Sequence, residues 1–273
     1  MELRDPIQTG PAMVGGAMRR GRLVINADDF GRDAEVNRAV LEAFRLGLCS
    51  SATLMPNMPG FEEACGMIRD RGLSSRVGIH WVLRDGPPLT DSIRRFPRFC
   101  DAEGRLRFNR PGGWLPACRL SSWEAWAVAA ELRAQVAACR RRGVPLTHLD
   151  SHYHIHTEWG VLQVLLGLAL ELKIRRIRIS RNLGTSRGPA KRLYTAWVNK
   201  SLKRSRLAGT DWFGSVDDYR AAGPGEVIGS REVMVHPLYR DGCLTDDGGE
   251  LLADRLSLFA DRSAAVAFGE EAS

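Results

Sequence analysis

No two of the six cysteines (Cys49, Cys65, Cys100, Cys118, Cys139, Cys243) stand in a Cys-x-x-Cys pair. Thiols scattered singly exclude a disulfide framework and a zinc ribbon and fit a reducing cytoplasm. No apolar run is long enough to span a bilayer. The longest, Gly160 to Leu170, is interrupted by Gln163 and falls short of the roughly 20 residues a spanning helix needs. No signal peptide is visible either, because Arg19-Arg20 leads only into Leu23 to Ile25 and then Asn26-Ala27-Asp28-Asp29. Histidine is scarce: the 273 residues hold six, and four of these lie in one decapeptide. Acid is missing from residues 172–210, which carry twelve Lys and Arg, although the whole chain is only mildly basic at +7.

The hydrophobic and charged shares, 44% and 26%, are ordinary for a soluble globular enzyme. Residues 1–20, with Pro6, Gly10, Pro11, Gly15 and Gly16 and no periodicity, are expected to be disordered. Met18 stands just before the first strand and is a candidate start alternative to Met1. From there the pattern alternates. Arg22 to Ala27 reads as a buried strand, followed by a helix capped by Asp33 with Val36, Val40 and Phe44 at helical spacing. Ser50 to Pro56, Arg76 to His80, the histidine decapeptide, Arg176 to Ser180 and Glu232 to Pro237 read as further strands. Helices are predicted over 61–71, from the Ser121-x-x-Glu124 capping box through Arg142, over 158–172 and over 251–259. Residues 84–118 are a long Pro-, Gly- and Arg-rich excursion of the kind that serves as a lid or binding loop. Alternating strands and helices imply a parallel sheet, so the expected fold is a single-domain (β/α) barrel, TIM-like and incomplete, over 21–262, with a frayed tail over 263–273.

The decapeptide Thr147-His148-Leu149-Asp150-Ser151-His152-Tyr153-His154-Ile155-His156 carries the chemistry. In an extended strand alternate side chains share a face, which puts His148, Asp150 and His152 together. Leu146, Leu149 and Ile155 interleave as in a packed strand, which argues against a surface histidine tract. Asp28, Asp29, His80, His152 and His236 all fall at the carboxyl ends of predicted strands, where α/β barrels and open α/β sheets place their chemistry. Each alone has a plain structural reading: Asp28 as a helix cap, His80 as a satisfied core residue. One carboxylate and two imidazoles form a three-ligand set that leaves positions open for water and substrate. A neighbouring carboxylate supplies a general base, and Asp28 and Asp29 supply both if the chain leaves extended geometry there, which Gly31 permits. His236 could protonate a leaving amine, so hydrolysis of an amide or ester follows from these parts.

The segments Asn26-Ala27-Asp28-Asp29-Phe30-Gly31, Val77-Gly78-Ile79-His80, His148-x-Asp150-Ser151-His152-x-His154-x-His156 and Val235-His236-Pro237 resemble, in order and spacing over residues 22–240, the YdjC/ChbG family of carbohydrate deacetylases. The resemblance implies a polysaccharide-deacetylase-like (β/α) barrel that removes acetyl groups from N-acetylated sugars with one divalent metal, magnesium by resemblance, although an Asp/His/His set suits zinc, cobalt or manganese at least as well. It implies Asp29, His80 and His152 as metal ligands, Asp28 as general base and His236 as acid. His148, Asp150, His154 and His156 would be outer-layer or substrate contacts. A metal-dependent phosphoesterase and a sugar-binding protein without catalysis are the alternatives. The first would need more bridging carboxylates, and the second would be expected to have lost Asp28. The basic stretch 172–210, with Leu193, Trp197, Val198 and Leu202 as an apolar stripe, suggests peripheral contact with an anionic inner membrane and a lipid-linked glycan there. A solvated helical face is the plain reading of that stretch. Nucleic acid is not expected as a partner, for want of an aromatic platform. Long-looped barrels often dimerise, so a homodimer is a further expectation.

Overall fold

The computed structural model describes residues 21–108, 119–184, 188–223, 227–259 and 261–268. The expectations for residues 1–20 and for Met18, and the last part of the 84–118 excursion, lie outside the described residues.

β1 (Leu23–Phe30) is buried over its whole length, as befits a parallel strand covered on both faces. α1 (Ala34–Arg45) follows, capped by the Asp33 side chain accepting from the Val36 backbone N–H. Then come β2 (Ser51–Leu54), α2 (Phe61–Asp70), β3 (Val77–Trp81) and the short α3 (Asp91–Arg94). α4 (Ser122–Arg141) starts at the expected capping box, with Ser121 and Glu124 satisfying each other's backbone N–H. After it come β4 (Leu149–Ser151), a tight helical turn (His152–Thr157), α5 (Trp159–Glu171) and α6 (Pro189–Arg204). β5 (Trp212–Ser215), α7 (Val216–Ala222), β6 (Arg231–Val235), the hairpin β7 (Leu238–Arg240) and β8 (Cys243–Thr245), and α8 (Leu252–Leu256) complete the order.

Six strands form one parallel sheet in the order β4-β3-β2-β1-β6-β5, a curled, incomplete (β/α) barrel. The segment expected as a strand over 176–180 is not a regular one. It bridges the two sheet edges, bonding Arg178 N–H to Leu149 O and Ile177 N–H to Ala208 O, while Asn182 N–H reaches Phe213 O on β5. Ile25, Val77, Ile79, Leu149 and Val233 fill the centre with no accessible surface, and burial of each such side chain is worth about 1.5–3 kcal/mol. Gly78 is dictated by packing: a Cβ there would stand 2.5 Å from the His148 ring. No described helix is long and apolar enough to cross a membrane.

Two expectations need correction. The histidine decapeptide is extended only through Ser151. Tyr153 and His154 then take left-handed backbone angles, with φ of 54° and 56°, and turn the chain out of the strand. The tail does not fray at 263. Val266 N–H donates to Leu23 O, and Phe268 is fully buried with its ring stacked on His148 at 4.3 Å. An apolar ring against an apolar-faced imidazole outweighs the freedom that a surface tail would keep.

Candidate metal centre

The site assembles at the carboxyl ends of β1, β3, β4 and β6. β1 is extended to Asp28, and Asp29 then adopts φ 66°, so the two neighbouring carboxylates do not point to opposite faces. Gly31 (φ 91°) follows, its N–H donating to Asn37 Oδ1 at 2.8 Å, which ties the turn to α1. A left-handed conformation costs a non-glycine residue on the order of 1–2 kcal/mol, and such strain is typical of functional positions.

Asp29 Oδ1 lies 3.3 Å from His80 Nε2 and 3.1 Å from His152 Nδ1, and the two nitrogens are 3.4 Å apart. Donor atoms about 2.0–2.1 Å from a tetrahedral ion are separated by about 3.3–3.4 Å, so the triangle fits one cation. Asp29 Oδ1 is buried and receives no well-formed hydrogen bond among the described residues, as an atom kept for a metal would be. Burial alone would raise the Asp29 pKa, yet the His152 and His80 imidazoles hold its carboxyl well below the usual range.

The next layer fixes these ligands. His80 Nδ1–H donates to Asp150 Oδ1 at 2.7 Å, which leaves Nε2 with a free lone pair facing Asp29. Thr53 donates to the other oxygen of Asp150 at 3.1 Å. His152 Nε2 is 3.2 Å from Asp85 Oδ2, which selects Nδ1 as the inward nitrogen in the same way. Burial would lower the pKa of His80, but Asp150, Asp29 and Asp28 push it up to about 10. The carboxylates demand a positive charge at His80 Nε2, which a proton or a divalent cation can supply.

Asp28 is clamped in a different way. Arg178 Nη1 and Nη2 donate to its two oxygens at 2.6 and 2.7 Å, and Asn26 Nδ2 adds a bond of 2.8 Å. Burial opposes ionisation, but the guanidinium wins and holds Asp28 well below the usual carboxylate range. Arg178 is wholly buried, bonds Glu232 Oε1 through Nε at 2.6 Å and lies over the Phe213 ring at 4.7 Å. Burial pushes Glu232 up to about 7 in spite of this bond. Arg178 Nη1 also sits 2.6 Å from Asp150 Oδ2. Its guanidinium thus bridges Asp28 and Asp150, which with His80 form a second group of possible ligands.

His236 presents Nε2 3.8 Å from Asp28 Oδ2, with its backbone N–H anchored by Asp246 Oδ1 at 2.7 Å. The structure therefore brings Asp28, Asp29, His80, Asp150, His152 and His236 together. It leaves the other three histidines outside this group. His148 donates to Asn26 Oδ1 at 3.2 Å, and His156 links Ser151 Oγ to the Arg178 carbonyl at 2.6 and 3.0 Å. His154 packs edge-on against Phe213. Burial drives His148 down to about 3, His156 down to about 4 and His154 well below its ordinary value.

Sequence reasoning passed over Arg178, Glu232, Asn26, Thr53 and Asp85. Arg178 was hidden among eleven other cations, and its only signal is an arginine flanked by Ile177 and Ile179. Asp85 precedes Gly86 in the excursion and itself has φ 74°, a turn signature rather than a ligand pattern.

The family of YdjC-like proteins matches residues 22–256. Among curated relatives, a carbohydrate deacetylase of Brevibacillus brevis is 39% identical over 153 residues, 56% of this chain and 57% of that one. A carbohydrate deacetylase of Geobacillus stearothermophilus is 39% identical over 58% of this chain and 60% of its own, so the chain spans under two thirds of these relatives' length. A chitooligosaccharide deacetylase of Yersinia pestis is 29% identical over 83% of this chain and 85% of that one. A crystal structure from Enterococcus faecalis, described as a candidate cellobiose-phosphate cleavage protein, shares the fold with a TM-score of 0.64 at 21% identity, over 91% of this chain and 97% of that one. With the family match running from the first strand to the last helix, the chain belongs to the YdjC-like proteins.

Proposed function

We propose that this protein hydrolyses the acetamide of an N-acetylated sugar, using one divalent cation held by Asp29, His80 and His152. The observation that carries the reading is the donor triangle of 3.1–3.4 Å beside an ionised Asp28. Asp29, His80 and His152 would hold the cation, whose chemistry there would be to acidify a water molecule and polarise the substrate carbonyl. Asp28 is the base that takes the proton of that water. The Arg178 clamp makes Asp28 a weak base, matched to an acidified water and poorly matched to a bulk one. His236, half-exposed at the mouth, donates a proton to the departing amine, so that amide and water become acetate and a free amino sugar. Asp150 and Asp85 hold the ligand imidazoles, and Arg178 with Glu232 and Asn26 orients Asp28. Two imidazoles and one carboxylate suit zinc, cobalt or manganese by ligand softness at least as well as magnesium.

The sugar specificity draws on relatives named carbohydrate and chitooligosaccharide deacetylases. The two-metal phosphoesterase alternative is disfavoured because Arg178 already pairs Asp28 and Asp150. The test is acetate release from N-acetylated chitooligosaccharides by metal-stripped protein, before and after add-back. Release that returns only with metal is expected. One bound equivalent of metal without acetate from any N-acetylated sugar would contradict the proposal.

A further inference from the structure

All strands of the sheet run the same way, so the helices that follow them open their N-terminal turns toward the site. α4 extends beyond the carboxyl end of β3. Gln135, past its middle, already bonds both the N–H and the C=O of Val82, just beyond the end of β3. The N-terminal turn of α4, with Trp123 and Trp126 exposed at 74% and 57%, therefore stands well out from the mouth. α6 packs its own first half on the turn that carries His152: Tyr194 Oη donates to the Thr157 carbonyl at 2.8 Å, and Trp197 meets Trp159 at 4.4 Å. Tyr153, next to His152, is exposed as well, with the Arg84 guanidinium 4.7 Å from its ring centre. Among the described residues the exposed aromatic side chains are Trp123, Trp126, Tyr153 and, at 37%, Trp197.

The charge on α6 has one sign. The expected apolar stripe of α6 splits in the structure. Val198 and Leu202 face the core, while Leu193, 74% exposed, and Trp197 face outward. Helical spacing sets Lys200 and Arg204 on that same outward face, with Lys203 at its margin. Among the described residues none of Lys191, Arg192, Lys200, Lys203 and Arg204 makes an ion pair, and 172–210 holds no acid to provide one. A solvated helix needs neither an outward Leu and Trp nor unneutralised charge. Aromatic rings at one level with cations beside them match a bilayer interface, where rings settle among headgroups and Lys or Arg meets anionic lipid.

We propose that α6, together with the exposed aromatic rim of α4 and Tyr153, docks this protein on an anionic phospholipid surface with the mouth of the site facing the bilayer. The proposal does not depend on the deacetylase reading. The test is co-sedimentation with vesicles of phosphatidylcholine, with and without phosphatidylglycerol, at low and high salt. Binding is expected to the anionic vesicles alone and to be lost at high salt. Lys200→Glu/Arg204→Glu should lower the partition coefficient about twenty-five-fold or more, since each lost cation is worth about fivefold, with circular dichroism unchanged. Brominated acyl chains in the anionic vesicles should quench the tryptophan fluorescence of the unaltered protein. No sedimentation at low salt, no quenching, or full binding by the folded charge-reversed variant would overturn the proposal. So would equal affinity for duplex DNA at matched salt, which would make the face a general polyanion surface.

Discussion

At the scale of single residues the account turns on who holds whom. Asp150 touches no ligand position itself, yet its bond to His80 Nδ1 decides which nitrogen His80 offers. Asp150→Asn is expected to weaken zinc binding by about 10–100-fold, measured by calorimetric titration of stripped protein, because the amide can present its NH2 to the imidazole and turn the wrong nitrogen inward. Unchanged affinity would mean that Asp150 serves Arg178 alone. His148 and His156 make a separate prediction. Both are held neutral in the fold, down to about pH 3 and about pH 4, whereas the unfolded chain protonates them near 6.5. The unfolded state therefore binds more protons on acidification, and stability falls as pH drops below 6.5. The slope is up to about 1.4 kcal/mol per pH unit for each histidine. Folded Glu232, pushed up to about 7, takes up a proton in the same range and offsets part of this slope. Urea unfolding between pH 6 and 5 measures the net, and stability that rises on acidification there would contradict the buried, neutral assignment.

At the scale of elements, close contact between strands sets what the sequence must be. Gly78 on β3 leaves room for the His148 ring, and no rotamer relieves a Cβ at 2.5 Å. Gly78→Ala should cost about 1–3 kcal/mol or more in the urea midpoint, since backbone or ring must shift. The same neighbourhood shows how far elements were legible. Parallel strands β1, β3 and β6 read clearly because burial on both faces gives each a short apolar stretch, Leu23 to Ile25, Val77 to Ile79 and Val233 to Val235. The capping signals of α1 and α4 are local and appear as expected. β5, with Trp212 and Gly214 in four residues, and the hairpin β7–β8 carry no such run and were missed. The histidine segment misled because period-two spacing persists in sequence after the backbone has turned left-handed at Tyr153.

At the scale of the molecule, the site is a balance of buried charge. Asp28, Asp150 and Glu232 converge on the fully buried Arg178, while Asp29 faces Arg32, His80 and His152, so four carboxylates at the centre share few compensating charges. Strand-end positions exposed Asp28, Asp29, His80, His152 and His236 to sequence reasoning, because topology sends the carboxyl ends of parallel strands to one place. Arg178 and Glu232 escaped it, because a buried ion pair joins residues 54 apart with no periodic trace. A divalent ion held at the proposed site would complete the balance and stabilise the fold by an amount that grows with the logarithm of its concentration over Kd.

The most direct measurement of the central claim is anomalous diffraction from crystals grown with zinc or cobalt. One strong peak about 2.0–2.2 Å from Asp29, His80 Nε2 and His152 Nδ1 is predicted, and none between Asp28 and Asp150. A peak ligated by Asp28, or no peak at the three donors at saturating metal, would contradict it.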